Sequence, residues 1–238
     1  MRNIIKYIIS KLRISPESKP LSKIDIYIAK YLNTSKKLTF IDIGSHRGDF
    51  MIELERFYRI EKAALIEPTP GLAEYLISKF NRNGIRVIQN AVSDKDYEAI
   101  DFEINVYGET SSILQINREM QELSNVDTRL EKTIKITTRT LDSIVKELNY
   151  SKIDLIKIDV QGVEHLVLKG GKEALQNTSF VWVELSFKPL YIGSSVFNDI
   201  YTIMEDYGFI LLELSPGHRS PMKELLQTDA LFANPKFL

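Results

Sequence analysis

Apolar residues recur along this chain with two periods, one typical of strands and one typical of helices. Short apolar runs predict strands at residues 39–43, 63–67, 85–92, 153–160, 180–186, 208–214 and 230–233. Helical spacing between these runs predicts helices at about residues 49–58, 71–82, 141–148, 163–175 and 196–206. Strands that alternate with helices are typical of an α/β protein built on a parallel sheet.

The last two predicted strands lack room for a connecting helix, because residues 215–228 are rich in Pro and Gly. A connection without a helix joins antiparallel strands more readily than parallel ones. We therefore predict a doubly wound, seven-stranded, Rossmann-like sheet whose last strand is antiparallel.

Two segments depart from the alternation of strands and helices. Residues 100–106 and 133–138 alternate apolar and polar side chains with period two, which predicts a β-hairpin inserted at residues 97–140 as a lid beside the ligand cleft. Residues 1–37 are predicted to form a helical N-terminal extension, so the main domain is expected at residues 38–238.

The first 14 residues have the pattern of an amphipathic helix, with Ile4, Ile5, Ile8, Ile9 and Leu12 on one face. A basic helix of this kind can make peripheral contact with a membrane surface. It can also pack on the main domain or on a second copy of the chain, which would give a homodimer. The segment has no Trp or Phe and few charges, so packing is favoured over membrane contact.

Composition narrows the classes of function. The chain has 238 residues, and its 31 Lys and Arg balance 32 Asp and Glu, which disfavours a nucleic-acid partner. The absence of Cys excludes disulfides, thiolate metal sites and a Cys nucleophile, and it suits a cytoplasmic protein. His46, His165 and His218 are too scattered to predict a metal site. No apolar run approaches the roughly 20 residues of a membrane span.

The first predicted strand runs into an acid and a glycine-containing turn, Asp42-Ile43-Gly44-Ser45-His46-Arg47-Gly48, and the second strand ends at Glu67. In an open α/β sheet this pairing is typical of a site for an adenosine-containing cofactor. The G-x-x-x-G spacing differs from the pyrophosphate-binding G-x-G-x-x-G fingerprint, which disfavours an NAD-linked oxidoreductase. A carboxylate can instead receive the ammonium of S-adenosylmethionine (SAM) or a ribose hydroxyl. The same glycines would also serve an ordinary tight turn.

Further acids lie at the carboxyl ends of later strands. Asp159 ends the fourth predicted strand, and ligands of such sheets bind outside the carboxyl strand ends, so Asp42 and Asp159 should face one crevice. Glu164 would lie in the first turn of the next helix, where the helix dipole favours an anion. Glu184 ends another strand and could hold a substrate hydroxyl or simply be solvated. Capping and turn formation by Asp159 and Gly162 is the alternative to a site role.

Five motifs, in this order, resemble the FkbM-type SAM-dependent methyltransferases over about residues 38–234. They are Phe-Ile-Asp-Ile-Gly-Ser-His-Arg-Gly at 40–48, Ile-Glu-Pro-Thr-Pro at 66–70, Asn-Ala-Val-Ser-Asp at 90–94, Thr-Leu-Asp-Ser-Ile at 140–144 and Leu-Ile-Lys-Ile-Asp-Val-Gln-Gly-Val-Glu at 155–164. The resemblance implies the seven-stranded methyltransferase fold and transfer of a methyl group from SAM, usually to a hydroxyl oxygen. Substrates of this family include sugars, glycans and polyketide products.

The resemblance also implies site residues by position, with Glu67 on the ribose hydroxyls and Asn90 near the adenine. The cofactor-binding residues it implies are Asp42, Gly44, Ser45, His46, Gly48, Glu67, Pro68, Asn90, Ala91 and Asp159. Those implied at the methyl-transfer cleft are Asp159, Gly162 and Glu164. Two positions depart from the family pattern. Gln161 stands where the family usually has Glu, and Gly44-Ser45-His46 stands where it usually has Gly-Ala-Asn.

An alcohol is a weak nucleophile at neutral pH, so we expect a general base beside the acceptor oxygen. Asp159 is the first candidate, followed by His46 and Glu164. The predicted function is SAM-dependent O-methylation of a hydroxyl on a sugar, a glycan or another secondary metabolite, with no metal. The alternative, favoured by Gln161, is a non-catalytic SAM-fold accessory protein of a glycan-synthesis complex. Acceptor specificity is expected in the 97–140 insertion and the loop at 187–195.

Overall fold

The computed structural model describes residues 27–33, 35–121 and 127–238. Its strands are β1 (Lys37–Ile43), β2 (Arg59–Ile66), β3 (Ile85–Ile88), β4 (Ala91–Val92), β5 (Ala99–Asn105), β6 (Leu130–Arg139), β7 (Ile153–Ile158), β8 (Thr178–Ser186), β9 (Ile210–Leu214), β10 (His218–Arg219) and β11 (Leu225–Ala233). Its helices are α1 (Asp49–Glu55), α2 (Pro70–Lys79), α3 (Arg118–Gln121), α4 (Leu141–Leu148), α5 (Glu164–Lys169), α6 (Lys172–Gln176) and α7 (Phe197–Asp206), with 3₁₀ turns at Gly108–Thr110 and Pro235–Phe237. None of the helices within this described part is long and apolar enough to cross a membrane.

A mainly parallel sheet forms the centre of the molecule, in the order β3–β2–β1–β7–β8–β11, with β9 and β10 paired along the far edge of β11. The pairs from β3 to β8 are parallel, whereas β11 runs antiparallel to both β8 and β9. Central strands such as β1 and β7 are apolar runs because helices or loops cover both of their faces. The predicted doubly wound α/β sheet with an antiparallel last strand is therefore confirmed.

Alternate side chains of each central strand enter two separate hydrophobic cores. Helices α4 to α7 cover one face, where Ile43, Ile158 and Val183 are buried. Helices α1 and α2 cover the other face, around Phe40 and Leu65. The carboxyl edge of the parallel strands stays open between these two layers, which is where a doubly wound sheet places its ligand.

Residues 27–33 cover the β8–β11 end of the second face. Ile28 is 1% exposed within this core, and the rings of Tyr27 and Trp182 lie 6.3 Å apart. Lys30 Nζ lies 2.6 Å from Glu213 Oε1 on β9. The segment before β1 is therefore packed on the main sheet. The amphipathic stretch at residues 1–14, and the rest of the predicted extension up to residue 26, lie outside the described residues.

The predicted insertion forms a second, three-stranded sheet in the order β4–β6–β5. Strands β5 and β6 pair antiparallel, as their period-two patterns predict. Strand β4 pairs parallel with β6, which corrects the single strand predicted at residues 85–92. The polar residues Gln89 and Asn90 separate β3, which belongs to the main sheet, from β4.

The helix predicted at residues 163–175 is instead two short helices, α5 and α6. Gly170 and Gly171 lie between them, and a Cβ on Gly170 would lie 2.2 Å from the carbonyl oxygen of Ser93. The chain therefore breaks its helix where its backbone packs directly on the residue that follows β4.

Candidate active site

The loop after β1 is fixed by backbone hydrogen bonds to β2. The amides of Gly44 and Ser45 both donate to the carbonyl oxygen of Ile66, at 3.0 and 3.1 Å. Gly44 has a φ of 77°, and a Cβ there would lie 1.9 Å from the carbonyl oxygen of Asp159, so this crossing of β1 and β7 requires glycine. Gly48, with a φ of 75°, is the N-cap of α1.

Glu67 follows β2, and its carboxylate links the loop after β1 to the loop after β2 by hydrogen bonds. Its Oε2 accepts a hydrogen bond from the amide of His46, and its Oε1 accepts one from the amide of Thr69, both at 2.9 Å. The side chain is buried and lines the cleft described below. Each carboxylate oxygen keeps further acceptor capacity, so Glu67 can still receive hydroxyl donors from a ribose.

Asp42 lies beneath the loop. Its side chain is fully buried, and Lys157 Nζ lies 3.5 Å from its Oδ1 and 3.3 Å from Asp159 Oδ2. Lys157 also donates to the carbonyl oxygen of Gly44 at 2.8 Å. The expectation that Asp42 and Asp159 face one crevice is thus corrected, because Asp42 turns toward a buried ammonium and only Asp159 lines the cleft.

This buried ion cluster shifts the protonation of its members. Burial raises the pKa of Asp42 to about 6, against the opposing effect of Lys157. Burial alone would lower the pKa of Lys157, but the carboxylates of Asp159 and Asp42 outweigh it and raise that pKa above its ordinary value. Lys157 therefore stays charged and balances the acids beneath and beside the loop.

Gln161 links two carboxylates at the carboxyl edge of the sheet. Its Nε2 donates to Asp159 Oδ1 at 2.7 Å and to Glu184 Oε2 at 3.1 Å. Glu184 Oε2 also accepts from Gln227 Nε2 at 3.0 Å, and the register of β8 and β11 places Asp229 opposite Glu184. Burial raises the pKa of Glu184 well above the usual carboxyl value, and the charge of Asp159 adds to this effect. The amide at position 161 bridges two acids that would otherwise repel each other.

The insertion and the loop at residues 187–195 are both hydrogen-bonded to the segment around Gln161. The Tyr191 hydroxyl lies 2.9 Å from Gln161 Oε1 and 3.0 Å from the carbonyl oxygen of Thr110. Ser112 Oγ donates to the carbonyl oxygen of Gln161 at 2.7 Å. Burial raises the pKa of Tyr191, so its hydroxyl keeps the proton that it shares with these two acceptors. Gln161, whose φ is 58°, is thus held by contacts from three parts of the chain.

Glu164 stabilises the turn that carries Gln161. Its side chain is buried, and its Oε1 accepts hydrogen bonds from the amides of Val160 at 3.2 Å and Gly162 at 3.1 Å. Burial raises the pKa of Glu164 to about 7. Glu164 is not among the residues that line the cleft, so the structure places this third candidate base behind the turn.

The loops after β1, β2 and β7 border a cleft of about 430 Å³. The predicted site residues that line it are Gly44, Ser45, His46, Glu67, Pro68, Asn90, Ala91 and Asp159. Gly48 and Asp42 lie outside its lining, where they shape the loop. His46 Nδ1 lies 3.9 Å from Glu109 Oε1, so the loop after β1 contacts the insertion across this cleft.

A second cavity of about 250 Å³ adjoins the cleft, and Glu109, Gln161 and Glu184 line both. Sequence reasoning did not single out Tyr191 or Asp229. The pairing of β11 with β8 could have identified Asp229, since it lies directly across from the strand-end acid Glu184. The sequence predicts a role for the loop at 187–195 but does not single out Tyr191 within it, because the contacts of Tyr191 come from segments 30 and 81 residues away.

The cleft fits SAM by its volume and by the chemistry of its lining. Its volume lies within the ~300–1,000 Å³ typical of small-molecule sites. Glu67 offers acceptors for ribose hydroxyls, Val92 and Phe102 offer apolar surface for a base, and the Asp159 side chain, 33% exposed, offers a negative charge for a cation. Across the described ranges, no group of three or more His, Cys, Asp or Glu side chains is arranged to hold a metal ion.

A doubly wound sheet with an antiparallel last strand and a cleft at its carboxyl edge is the architecture of SAM-dependent methyltransferases. The family model of the methyltransferase FkbM domain matches residues 42–211, most of the chain. The chain therefore belongs to the FkbM methyltransferase family, and its cofactor is SAM.

Individual relatives agree with this assignment. The 2-O-methyltransferase NoeI of Sinorhizobium fredii (strain NBRC 101917 / NGR234) is 29% identical over 181 residues, which are 71% of this chain and 72% of NoeI. The crystal structure of methyltransferase FkbM from Methylobacillus flagellatus KT covers 91% of this chain at 17% identity with a TM-score of 0.51, and this chain spans about half (48%) of that one. M. capricolum TrmK with bound S-adenosyl-homocysteine (SAH) covers 87% of this chain and 66% of its own, at 13% identity and a TM-score of 0.50. At these identities the two structures support the fold.

Proposed function

We propose that this protein transfers the methyl group of SAM to a hydroxyl oxygen of a sugar, a glycan or another secondary metabolite. The observation that carries the proposal is the position of Asp159, whose partly exposed carboxylate lines the cofactor cleft and is hydrogen-bonded to Gln161 at the junction with the second cavity. The similarity to NoeI, which is named a 2-O-methyltransferase, supports an oxygen acceptor.

Methyl transfer depends mainly on alignment of the reacting atoms, and a base that removes the hydroxyl proton assists it. When bound, SAM supplies a methyl carbon on a positively charged sulfur. We assign to Asp159 the removal of the acceptor's hydroxyl proton, with support from Gln161 and Lys157, which lie 2.7 and 3.3 Å from its two oxygens. His46 also lines the cleft and is the second candidate base.

The cofactor-binding part of the proposal rests on the loop residues. We assign the backbone of Gly44, Ser45 and His46 to one wall of the cofactor site and Glu67 to the ribose hydroxyls. Pro68, Asn90 and Ala91 line the same cleft and are assigned to the adenine side. Asp42 and Gly48 support the loop from outside the cleft.

Asp159→Asn tests the base assignment. The variant keeps the size of the side chain but cannot accept a proton, so we expect turnover to fall by about 10²–10⁴-fold, the range for loss of a general base. Affinity for SAH, whose sulfur is a neutral thioether, should change little. The measurements are methyl transfer from labelled SAM to hydroxylated acceptors, and calorimetric titration with SAH.

Asp206→Asn, at the exposed end of α7, is the matched control and should behave as the wild type. Unchanged turnover in Asp159→Asn would move the proton-accepting role to His46 or to solvent.

A protein that binds SAM and yet methylates no hydroxylated acceptor would favour the accessory-protein alternative. The hydrogen bonds of Gln161 support catalysis over that alternative, because the amide positions both neighbouring acids.

A further inference from the structure

The second cavity lies between three segments that surround the junction with the cleft. The insertion, the loop at 187–195 and the β10–β11 region contribute its walls. Its lining includes Thr110, Ile116 and Thr128 from the insertion, Tyr191 from the loop, and His218 and Gln227 from the β10–β11 region. At about 250 Å³ it is smaller than the ~300–1,000 Å³ typical of sites for drug-sized ligands, which suits one ring rather than a whole cofactor.

This cavity reaches the proposed base through a continuous set of hydrogen bonds. Gln227 and Gln161 both donate to Glu184 Oε2, at 3.0 and 3.1 Å, and Gln161 donates to Asp159 at 2.7 Å. Gln161 and Glu184 line both cavities. Because Gln161 and Glu184 belong to both linings, a ring in the second cavity lies next to the cleft that contains Asp159 and is assigned to the cofactor.

The lining of the cavity is acidic and rich in hydrogen-bonding groups. Its carboxylates are Glu109 and Glu184, and none of the described residues in its lining is Lys or Arg. Thr128 Oγ1 is buried at this cavity and has no hydrogen-bond partner within the described residues. Carboxyl groups and hydroxyls bind neutral hydroxyl groups well, whereas the Glu109 carboxylate would repel a phosphate.

We propose that the second cavity is the acceptor site, and that the ring it receives is an uncharged sugar, without a phosphate or carboxylate group on that ring. The inference rests on the proposed O-methyltransferase function and adds the location and the charge of the acceptor. The two Tyr side chains, Tyr107 and Tyr191, add aromatic surface on which an apolar sugar face can rest.

The test compares neutral and anionic sugars in the SAH-saturated protein. The probes are methyl glycosides of neutral hexoses and 6-deoxyhexoses, and the matching hexose 1-phosphates and hexuronic acids. Binding is followed by saturation-transfer NMR.

Ile116→Trp fills the cavity with a larger side chain, and we expect it to weaken binding of the neutral glycosides by at least about tenfold, with SAH affinity unchanged. Thr128→Val, which removes the unpartnered hydroxyl at nearly constant size, should weaken binding less.

Thr133→Val on the exposed side of β6 is the matched control for Thr128→Val and should leave sugar binding unchanged. Preferential binding of the phosphates or uronic acids would overturn the assignment of an uncharged ring. Neutral binding that survives Ile116→Trp would overturn the location. Binding of SAH without binding of any sugar in the panel would overturn the substrate class, whereas failure to bind SAH would instead contradict the methyltransferase function itself.

Discussion

At the scale of single residues, Glu67 is expected to contribute most to cofactor affinity. Glu67→Ala removes the acceptors for two backbone amides and for the ribose hydroxyls, so we expect SAM to bind about 10- to 100-fold more weakly, as for loss of hydrogen bonds to a charged group. Calorimetric titration of both proteins with SAM measures the effect. Glu61→Ala, at an exposed position on β2, the strand that precedes Glu67, is the control. Equal affinities of wild type and Glu67→Ala would remove Glu67 from the proposed cofactor site.

The contacts of Gln161 could not be predicted from the sequence. The sequence marked it as a departure from the family pattern and suggested a lost carboxylate. The structure gives it a positive φ, two carboxylate acceptors and a Tyr191 partner from a distant loop. Strand periodicity and motif spacing locate a residue on an element, but they do not determine which distant side chains meet it. Asp42 was misplaced for the same reason, since the burial of Lys157 beside it was not visible in the pattern.

At the scale of elements, the crossing of β1 and β7 depends on one glycine. Gly44→Ala would place a methyl group 1.9 Å from the Asp159 carbonyl oxygen and force an L side chain into a φ of 77°, so the strand ends must separate. We expect the free energy of unfolding to fall by at least about 3 kcal/mol, from strain and lost packing. Urea unfolding monitored by Trp182, the one tryptophan and a buried core residue, measures it.

Gly193→Ala is the matched control for this substitution. Gly193 also has a positive φ, of 80°, but a Cβ there would have no neighbour within 4 Å. Only the backbone strain of about 1–2 kcal/mol should remain. Equal losses in both variants would show that the close approach of β1 and β7 contributes nothing beyond that strain.

Most strands and helices were predictable because burial of one face or of both faces gives their apolar residues a regular spacing. The central strands and the β5–β6 hairpin follow from apolar runs and from strict alternation, respectively. The wrong predictions lie where tertiary contacts interrupt a helix or a strand that the local sequence favours. Gly170 breaks the predicted helix where it packs on Ser93, and the strand predicted at 85–92 divides because its last residues pair with the insertion.

At the scale of the whole molecule, the buried acids make stability depend on pH. The pKa of Glu164 is raised from 4.5 to about 7, so the folded protein binds more protons than the unfolded chain between these values. The free energy of unfolding must therefore fall as pH rises through this window. The pKa of Asp42, raised from 3.8 to about 6, acts in the same direction.

Glu164→Gln isolates one of these contributions. The amide oxygen can still accept from the two turn amides but does not titrate, so the variant should lose less stability than the wild type between pH 5 and pH 7.5. We expect a difference of roughly 1–3 kcal/mol in that loss, because the pKa of Glu164 rises from 4.5 to about 7 on folding. Urea unfolding at both pH values measures it, with Glu173→Gln on α6 as the exposed control. Parallel pH dependences for wild type and Glu164→Gln would contradict the assignment.

Two of the contacts that hold the insertion and the loop at 187–195 in place end on main-chain atoms. Ser112 binds the carbonyl oxygen of Gln161, and Tyr191 lies within hydrogen-bond distance of the carbonyl oxygen of Thr110. A carbonyl oxygen is present whatever side chain its residue carries. Substitutions at Gln161 and Thr110 therefore leave these two acceptors in place, whereas loss of the Ser112 or Tyr191 hydroxyl removes the donor of the contact. The attachment of the two segments thus tolerates change on its acceptor side and not on its donor side.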